Sequence, residues 1–197
     1  MLVKGDLLQA IASKNIGISA TKIEKQAIAS LVARLEGYNP NPNPLEVPHL
    51  LDGNWRLLYT TSRELLGLNN IPLAKLGNIY QCVRIKNAKI YNIAELSGLP
   101  YLAAILSVCA RFEPQNSQRV NVKFERAISG FQNILGYQSP EQFIDRIESG
   151  KNYRFGAIDF LIPDGNQQGW LDITYLDDNL RIGRGNEGSI FILDKVS

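Results

Sequence analysis

The 197-residue sequence has a single histidine and two cysteines, which excludes several kinds of functional site. With His49 as the one histidine, a site built from several histidines is excluded, and the H-E-x-x-H pattern is absent. Because His49 directly precedes a predicted strand, we expect it to be structural. Cys82 and Cys109 lack C-x-x-C spacing and have apolar neighbours, so buried free thiols are favoured, although a disulfide stays open.

Strong charge and long apolar runs are also missing. The formal net charge is +2 and the basic residues are scattered along the chain, so no nucleic-acid partner is predicted. No apolar run is long enough to predict a membrane-spanning helix. The first residues resemble neither a secretory signal nor an Arg/Ser-rich transit sequence. We therefore expect a protein that works where it is made, or one that has lost a targeting segment.

The first 38 residues are predicted to form a helical extension. Thr21 and Glu24 have the spacing of a capping box, which predicts a helix starting there, and Gly37 is a natural C-terminal cap. Apolar residues follow at intervals of three and four, the period of one buried helix face. These residues are Ile23, Ala27, Ile28, Leu31, Val32 and Leu35, preceded by a first stripe of Val3, Leu7, Leu8 and Ile11.

The segment 39–49 begins NPNPNP and is predicted to be a stiff linker. Proline removes a backbone donor and favours extended geometry in the residue before it. The linker would join the helical extension to a main domain at residues 50–197.

The main domain has two strands whose alternation is clear. In the first, LLDGNWRLLYTTS at 50–62, alternate residues from Trp55 through Tyr59 to Thr61 are predicted to share one face. In the second, at 118–129, the predicted apolar face continues from Phe124 through Arg126. Its members are Val120, Val122, Phe124, Arg126 and Ile128.

Further strands are predicted around these two, at 78–86, 89–96, 102–113, 157–162, 169–176, 179–185 and 189–194. A helical turn and a loop at Pro72 are expected within 64–76. Ser139-Pro140 predicts a short helix that ends at Gly150 and buries Phe143, Ile144 and Ile147. Asp164-Gly165 and Asp178-Asn179 are turn signals.

Eight or nine closely spaced strands without a strand–helix rhythm predict a mainly β fold. We expect an antiparallel up-and-down sheet closed into a β-barrel that holds one small apolar ligand, with a flattened sandwich as the alternative architecture.

The stretch 169–195, GWLDITYLDDNLRIGRGNEGSIFILDK, carries the candidate site. Strand alternation puts Leu180, Ile182 and Arg184 on one face and Arg181, Gly183 and Gly185 on the other, where the glycines leave room for something bulky. In one interpretation, Arg181 or Arg184 closes one end of the barrel by a cation–π contact with Trp55. In the other, Arg126 or Arg184 points inward to a carboxylate, phosphate or quinone oxygen of a ligand.

A buried arginine requires an acidic partner, and Asp177, Glu125 and Asp159 are candidates. Asp159, flanked by apolar residues, is the acid we expect to be buried. The pair Asp177-Asp178 is interpreted as a turn rather than a catalytic dyad. Aromatic side chains, which also include Tyr80, Tyr153, Phe155 and Trp170, fit either a core or a pocket. The predicted ligand-binding or barrel-closing residues are Trp55, Tyr59, Phe124, Arg126, Tyr175, Asp177, Arg181 and Arg184.

Two blocks at opposite ends of the domain resemble a known family. Gly53-x-Trp55 is the spacing that opens the first strand of lipocalin-type barrels. LLDGNWRLLYTTS and YLDDNLRIGRGNEGSIFILDK together resemble the signature blocks of the plastid lipid-associated proteins, or fibrillins. FEPQNSQRVNVKFE resembles the central hairpin of that family.

The resemblance implies a lipocalin-like barrel that binds or carries an isoprenoid, quinone, carotenoid, fatty acid or other acyl lipid without catalysing a reaction. It also implies a peripheral place on thylakoids or lipid bodies, in a cyanobacterial cytoplasm or, for a mature chain, in a plastid. No metal or certain cofactor is predicted, and the protein partner is open. Two alternatives remain: a lipocalin-like bilin lyase or chaperone, and a structural coat of lipid bodies.

Overall fold

A computed structural model describes residues 2–70, 75–98, 103–153, 156–163 and 168–196. Pro72, Leu102, Phe155 and the turn predicted at Asp164-Gly165 lie outside these residues. No helix in the described ranges is long and apolar enough to cross a membrane.

Three helices precede the first strand of the described chain, and the other three lie between strands. The α-helices are α1 (Leu2–Ile11), α2 (Lys22–Glu36), α3 (Pro48–Leu51), α4 (Arg63–Gly67), α5 (Gln132–Leu135) and α6 (Pro140–Glu148). The β-strands are β1 (Gly53–Thr60), β2 (Lys75–Arg84), β3 (Lys89–Ser97), β4 (Ala104–Pro114), β5 (Arg119–Phe131), β6 (Ala157–Leu161), β7 (Gln168–Leu176), β8 (Leu180–Gly185) and β9 (Ile190–Val196).

The strands form one antiparallel sheet that curves into a ring. Its order is β4-β3-β2-β1-β9-β8-β7-β5-β6, and a further pairing of β4 with β5 closes the ring. The first half of β5 pairs with β7 and the second half with β6. Within the described sheet, β6 pairs with β5 alone and therefore keeps one unpaired edge. The mainly β prediction is confirmed, and the architecture is consistent with a lipocalin-like fold.

Apolar side chains form one cluster on the inner face of the ring and two on its outer face. The inner face gathers buried side chains from most of the strands, including Trp55, Leu57 and Leu193. On the outside, α1 and α2 pack against β1, β7, β8 and β9. A third cluster packs α6 against the outer side of β2 to β5. The interior is thus bounded by a sheet whose outer surface is itself largely covered.

The predicted helix starts are confirmed, but Ile23, which was predicted to lie on the buried face of α2, is 78% exposed. Thr21 Oγ1 accepts from the Glu24 N–H, and the Glu24 carboxylate accepts from the Thr21 N–H at 2.9 Å, which completes the capping box. Ser139 caps α6, which buries the three predicted apolar side chains. The linker segment is tethered to β7, where the Asn39 side chain bonds the backbone of Thr174 and Leu176.

The predicted single apolar face of β1 is wrong because the strand contains a bulge. Leu57 pairs with Leu193, but Tyr59, two residues on, pairs with the adjacent Ile192, so Leu58 is an extra residue. An extra residue shifts the alternation by one. Trp55 and Leu57 therefore point into the ring, and Tyr59 points outward to the helices.

The same correction applies to β5. Arg126 pairs with Cys109 and Phe124 with the next residue, Ala110, which makes Glu125 the extra residue. Val120, Val122 and Phe124 consequently lie on the inner face, whereas Arg126 and Ile128 lie on the outer face near α6. Arg126 is not inserted in the inner apolar face, as the alternation had predicted.

Candidate functional site

One end of the ring interior is closed by Trp55 and the linker segment. Trp55 is fully buried, and its indole N–H donates to the Leu51 carbonyl at 2.8 Å. Leu45, Val47 and Leu50 from the same segment pack against the inner cluster. We call this the closed end. The hydrogen bond satisfies the polar edge of the indole, so the large ring can be buried across this end of the interior.

The Arg181 guanidinium lies over the Trp55 ring. Its guanidinium carbon is 4.8 Å from the Trp55 ring, so the contact between an arginine of β8 and Trp55 is present. The side chain is only 2% exposed. Among the described residues its one hydrogen-bond partner is Gln81, whose amide oxygen accepts from Nη2 at 2.5 Å, and no carboxylate pairs with it. The expected acidic partner is thus missing from this part of the structure.

Burial lowers the pKa of the Arg181 guanidinium to about 9, so the group remains positively charged at neutral pH. Lys195 adds a second cation, with its ammonium 5.3 Å from the Trp55 ring and bonded to the Leu50 carbonyl. Burial also lowers the pKa of Lys195. The closed end is therefore electropositive, and its more deeply buried charge is not neutralised by a described acid.

A polar row leads from this charge across the inner face. By register, Trp55 is opposite Gln81, Gln81 opposite Asn92, and Asn92 opposite Val108. Gln81 donates to the Asn92 side-chain oxygen at 3.0 Å. Gln81, Asn92, Val108 and the inner-face Phe124 all keep intermediate exposure. Solvent-accessible space therefore reaches the inner face next to the buried guanidinium.

The inner face of the second half of β5 and of β6 carries large apolar side chains that are partly exposed. Phe131 is opposite Ala104, and Ile158 and Phe160 of β6 are opposite Ser129 and Ala127 on the same face. Phe131 is 41% exposed, Ile158 65% and Phe160 52%. We call Phe131, Ile158 and Phe160 the mouth. The interior thus has a polar, cationic closed end and an apolar mouth.

Gly183 and Gly185 do share the inner face with Arg181, as predicted, but the space over them is filled. A Cβ atom on Gly183 would lie 3.1 Å from Leu171 Cδ1, and one on Gly185 would lie 3.0 Å from Phe191 Cε2. These two side chains occupy the room that the glycines provide.

Arg184 is on the outer face and holds α2 to the sheet. Its Nε and Nη2 donate to the two carboxylate oxygens of Glu36, both at 2.8 Å. The Glu36 carboxylate also accepts from the Thr174 hydroxyl at 2.6 Å. This hydrogen-bonded ion pair raises the pKa of Arg184. The alternation predicted for β8 is confirmed, but Arg184 does not point inward.

Arg126 pairs with Asp159 on the outer face, with two bonds of 2.8 and 2.7 Å. Asp159 also accepts from the Tyr153 N–H, and its side chain is only 9% exposed, as expected for the buried acid. Hydrogen bonding from Arg126 lowers the pKa of Asp159 and outweighs the opposing effect of burial. Glu125, the remaining acidic candidate, pairs with Lys89 and Arg111.

Asp177 organises the β7–β8 turn and anchors α1. It accepts from the backbone N–H groups of Asn179 and Leu180, from the Tyr175 hydroxyl, and from the Lys4 ammonium at 2.6 Å. Burial acts to raise the pKa of Asp177, but these donors together lower it. The structural turn expected at this aspartate is present.

Tyr175 and Tyr59 both face the α1–α2 side rather than the interior. The buried Tyr59 hydroxyl has no hydrogen-bond partner among the described residues. The eight predicted site residues therefore separate: Trp55, Arg181 and Phe124 line the interior, and the other five lie outside it.

Gln81 and Asn92 are the interior residues that sequence reasoning missed. Each is a single amide within an otherwise apolar strand face, in IYQCV and IYNIA. An isolated amide on such a face is a usable signal, because a buried amide must find a hydrogen-bond partner.

Two shallow clefts lie on the outside of the ring. One of about 400 Å³ is lined by the end of α1 with β1, and one of about 460 Å³ lies beside Arg126 and Asp159 under β6.

Cys82 and Cys109 are buried free thiols, as predicted, and burial raises the pKa of Cys82 to about 12. No cluster of metal-ligating side chains occurs in the described ranges.

The fold and the interior together define a mainly β protein with a partly open, apolar inner face. The family model PAP_fibrillin matches residues 1–194, and the chain belongs to this family. The resemblance inferred from the two terminal blocks is thereby confirmed.

Curated relatives agree with this assignment. The chain is 33% identical to a light-induced chloroplastic protein of Solanum tuberosum, covering 98% of this chain and 67% of that protein. It is 32% identical to plastoglobulin-1 of Pisum sativum, covering 97% and 60%. It is 29% identical to a chromoplast-specific carotenoid-associated protein of Cucumis sativus, covering 98% and 67%. No solved structure matches.

Proposed function

We propose that the ring interior binds a hydrophobic isoprenoid or acyl lipid non-covalently and shields it from water. The observation that carries this proposal is the partial exposure of apolar inner-face side chains, from Val108 and Phe124 to the mouth. A fully packed interior would leave these side chains buried. An apolar ligand that covers them gains about 25 cal/mol per Å² of apolar surface removed from water.

Binding is tested by filling the interior. Val108→Trp adds bulk to the inner face, and Glu113→Trp adds the same bulk to an exposed outer-face position of β4. Both variants and their background protein carry Trp170→Phe, which leaves Trp55 as the single tryptophan reporter in the background protein. We expect a short-chain prenyl-type quinone to quench Trp55 fluorescence in the background protein and to bind Glu113→Trp with unchanged affinity. Val108→Trp should weaken binding by about tenfold or more, since it occupies the ligand's place.

In the variants that carry a new tryptophan, binding is measured by isothermal titration because the reporter is no longer single. Equal affinity of Val108→Trp and Glu113→Trp would contradict binding in the interior. Absence of binding in the background protein, together with an unchanged melting temperature on ligand addition, would contradict the function itself.

A second candidate function is attachment to a lipid surface. Further exposed apolar side chains lie near the mouth: Leu161, 76% exposed, is on the outer face of the same strand β6, and Ile134, 48% exposed, lies beside Gly156 just before that strand. The acid in this region, Asp159, is neutralised by Arg126. Relatives named plastoglobulin and plastid-lipid-associated protein favour a lipid surface as the partner. In this proposal, the chain lies on thylakoids or lipid bodies with its mouth against the lipid.

A further inference from the structure

Arg181 is the one charged residue that is buried within the described ranges. It is 2% exposed, with a tryptophan ring on one side and one neutral amide as its hydrogen-bond partner. By contrast, Arg126 and Arg184 each form two hydrogen bonds to a carboxylate. A guanidinium has five N–H donors, and burying it without an anion is unfavourable.

A ligand carboxylate could replace Gln81 as the hydrogen-bond acceptor of Arg181. The Gln81 amide oxygen accepts a hydrogen bond from Arg181, as one oxygen of a carboxylate would. The Gln81 amide nitrogen donates to the Asn92 side-chain oxygen. Gln81 and Asn92 have intermediate exposure, so the accessible interior space reaches this position. An anionic group entering from the mouth would meet the guanidinium at the end of its path.

We propose that the interior ligand carries a carboxylate head group that pairs with Arg181, with its hydrocarbon chain running along the inner face toward the mouth. This rests on the proposed interior binding and selects among its ligands: an acyl chain with a free carboxylate is favoured over a neutral carotenoid or quinone.

Charge and shape both favour a carboxylate over a phosphate. The pair Gln81 and Asn92 is neutral, and Arg181 is the almost fully buried cation. Lys195 is only half-buried and its ammonium bonds the Leu50 carbonyl, so one buried positive charge is left for the ligand, which matches a monoanion. The planar guanidinium fork binds the two oxygens of a carboxylate side by side. A phosphate dianion would leave a negative charge beside the apolar wall formed by Val108 and Phe124.

The test compares two ligands with the same chain, laurate and dodecanol, by isothermal titration below their aggregation limits at pH 7.5. We expect the unmodified protein to bind laurate at least tenfold more tightly than dodecanol. In Arg181→Met this ratio should fall to about one, while the dodecanol affinity changes less than threefold. Arg184→Met is the matched control on the same strand and should keep the laurate preference, since Arg184 faces α2.

Gln81→Glu provides a second variant that does not remove the arginine. It places a fixed carboxylate beside the guanidinium, so it should abolish the laurate preference and raise the melting temperature of the ligand-free protein. This variant keeps the test decisive if Arg181→Met fails to fold.

Equal binding of laurate and dodecanol by the unmodified protein would overturn the carboxylate proposal and leave interior binding standing. Tighter binding of dodecyl phosphate than of laurate would also overturn it. A laurate preference that survives in both Arg181→Met and Gln81→Glu would place the head group elsewhere. If neither laurate nor dodecanol binds and the quinone binds to the interior, the head-group proposal fails alone; if none of the three binds, the proposed function fails with it.

Discussion

At the scale of single residues, the three arginines named as site candidates differ in the face of the sheet on which they lie, and this decides whether a carboxylate pairs with them. Arg126 and Arg184 lie on outer faces and are neutralised by Asp159 and Glu36. Arg181 lies on the inner face without such a partner in the described residues. Paired arginines hold elements together, whereas an unpaired buried arginine lowers stability until an anion reaches it.

Asp177 is the residue-scale case for a pH test. Because the pKa of its carboxyl is lower in the folded protein, Asp177 stabilises the fold above its unfolded pKa of about 3.9, and this contribution is lost as pH falls through the folded pKa. Asp177→Asn should therefore cost about 1–2 kcal/mol at pH 7, since the charge-assisted bonds from Lys4 and Tyr175 are weakened.

Urea denaturation of both proteins from pH 7 to pH 3 measures this difference, which should shrink as the parent carboxyl becomes protonated. Asp178→Asn, at the exposed next position, is the control and should stay within about 0.5 kcal/mol of the parent. A difference that persists undiminished at pH 3 would show that the contribution of Asp177 does not come from its charge.

At the scale of elements, α2 begins at a complete capping box and ends in the ion pair of Glu36 with Arg184. The helix buries Ile28, Val32 and Leu35 against α1 and the sheet. Its start depends on a local sequence signal, and its end on a partner 148 residues away in the chain.

Replacing the cap should destabilise the whole domain because α2 shares a core with the strands. Thr21→Ala is expected to lower the free energy of unfolding by about 1 kcal/mol, measured by urea denaturation. Ser30→Ala, on the same helix, is the control. Ser30 bonds back to the Gln26 carbonyl from an exposed position, so alanine should be neutral or slightly stabilising. An unchanged stability of Thr21→Ala would mean that α2 frays without cost to the domain.

Local signals explain which elements were predictable. The capping box, the Ser139-Pro140 start and the alternation of β8 follow from residues within a few positions of each other, and all three are present. The closing of one end by Trp55 and Arg181 follows from the same alternation, since both residues reach the inner face.

What sequence could not provide depends on pairing between distant strands. The bulges at Leu58 and Glu125 leave the apolar alternation of their own strands intact, because an extra residue is defined only against the partner strand. Tyr59 and Arg126 were therefore assigned to the wrong face. The partner of Arg184 could not be found either, since Glu36 lies on a helix whose docking position no local pattern specifies.

At the scale of the whole molecule, the polar and apolar parts of the interior are joined by one inner-face row, which runs by register from Gln81 and Asn92 through Val108 and Ala127 to Phe160. Arg181, Gln81 and Asn92 lie on the inner face near the closed end, and Phe131, Ile158 and Phe160 form the mouth. An amphiphile fits this arrangement with its head group at Arg181 and its hydrocarbon chain directed toward the mouth. A mouth resting on lipid would let such a molecule enter without its chain crossing water.

Attachment through the mouth gives the whole-molecule prediction. The double variant Ile158→Ser, Phe160→Ser removes two exposed apolar side chains, and at about 25 cal/mol per Å² this should weaken partition onto lipid droplets roughly tenfold or more. Flotation with triacylglycerol droplets coated by a phospholipid monolayer measures the bound fraction. Ile23→Ser is the control, because Ile23 is 78% exposed but lies on α2, away from the mouth. Equal loss in Ile23→Ser would assign attachment to the helix instead, and a change of oligomeric state without loss of flotation would identify the mouth as a surface for self-association.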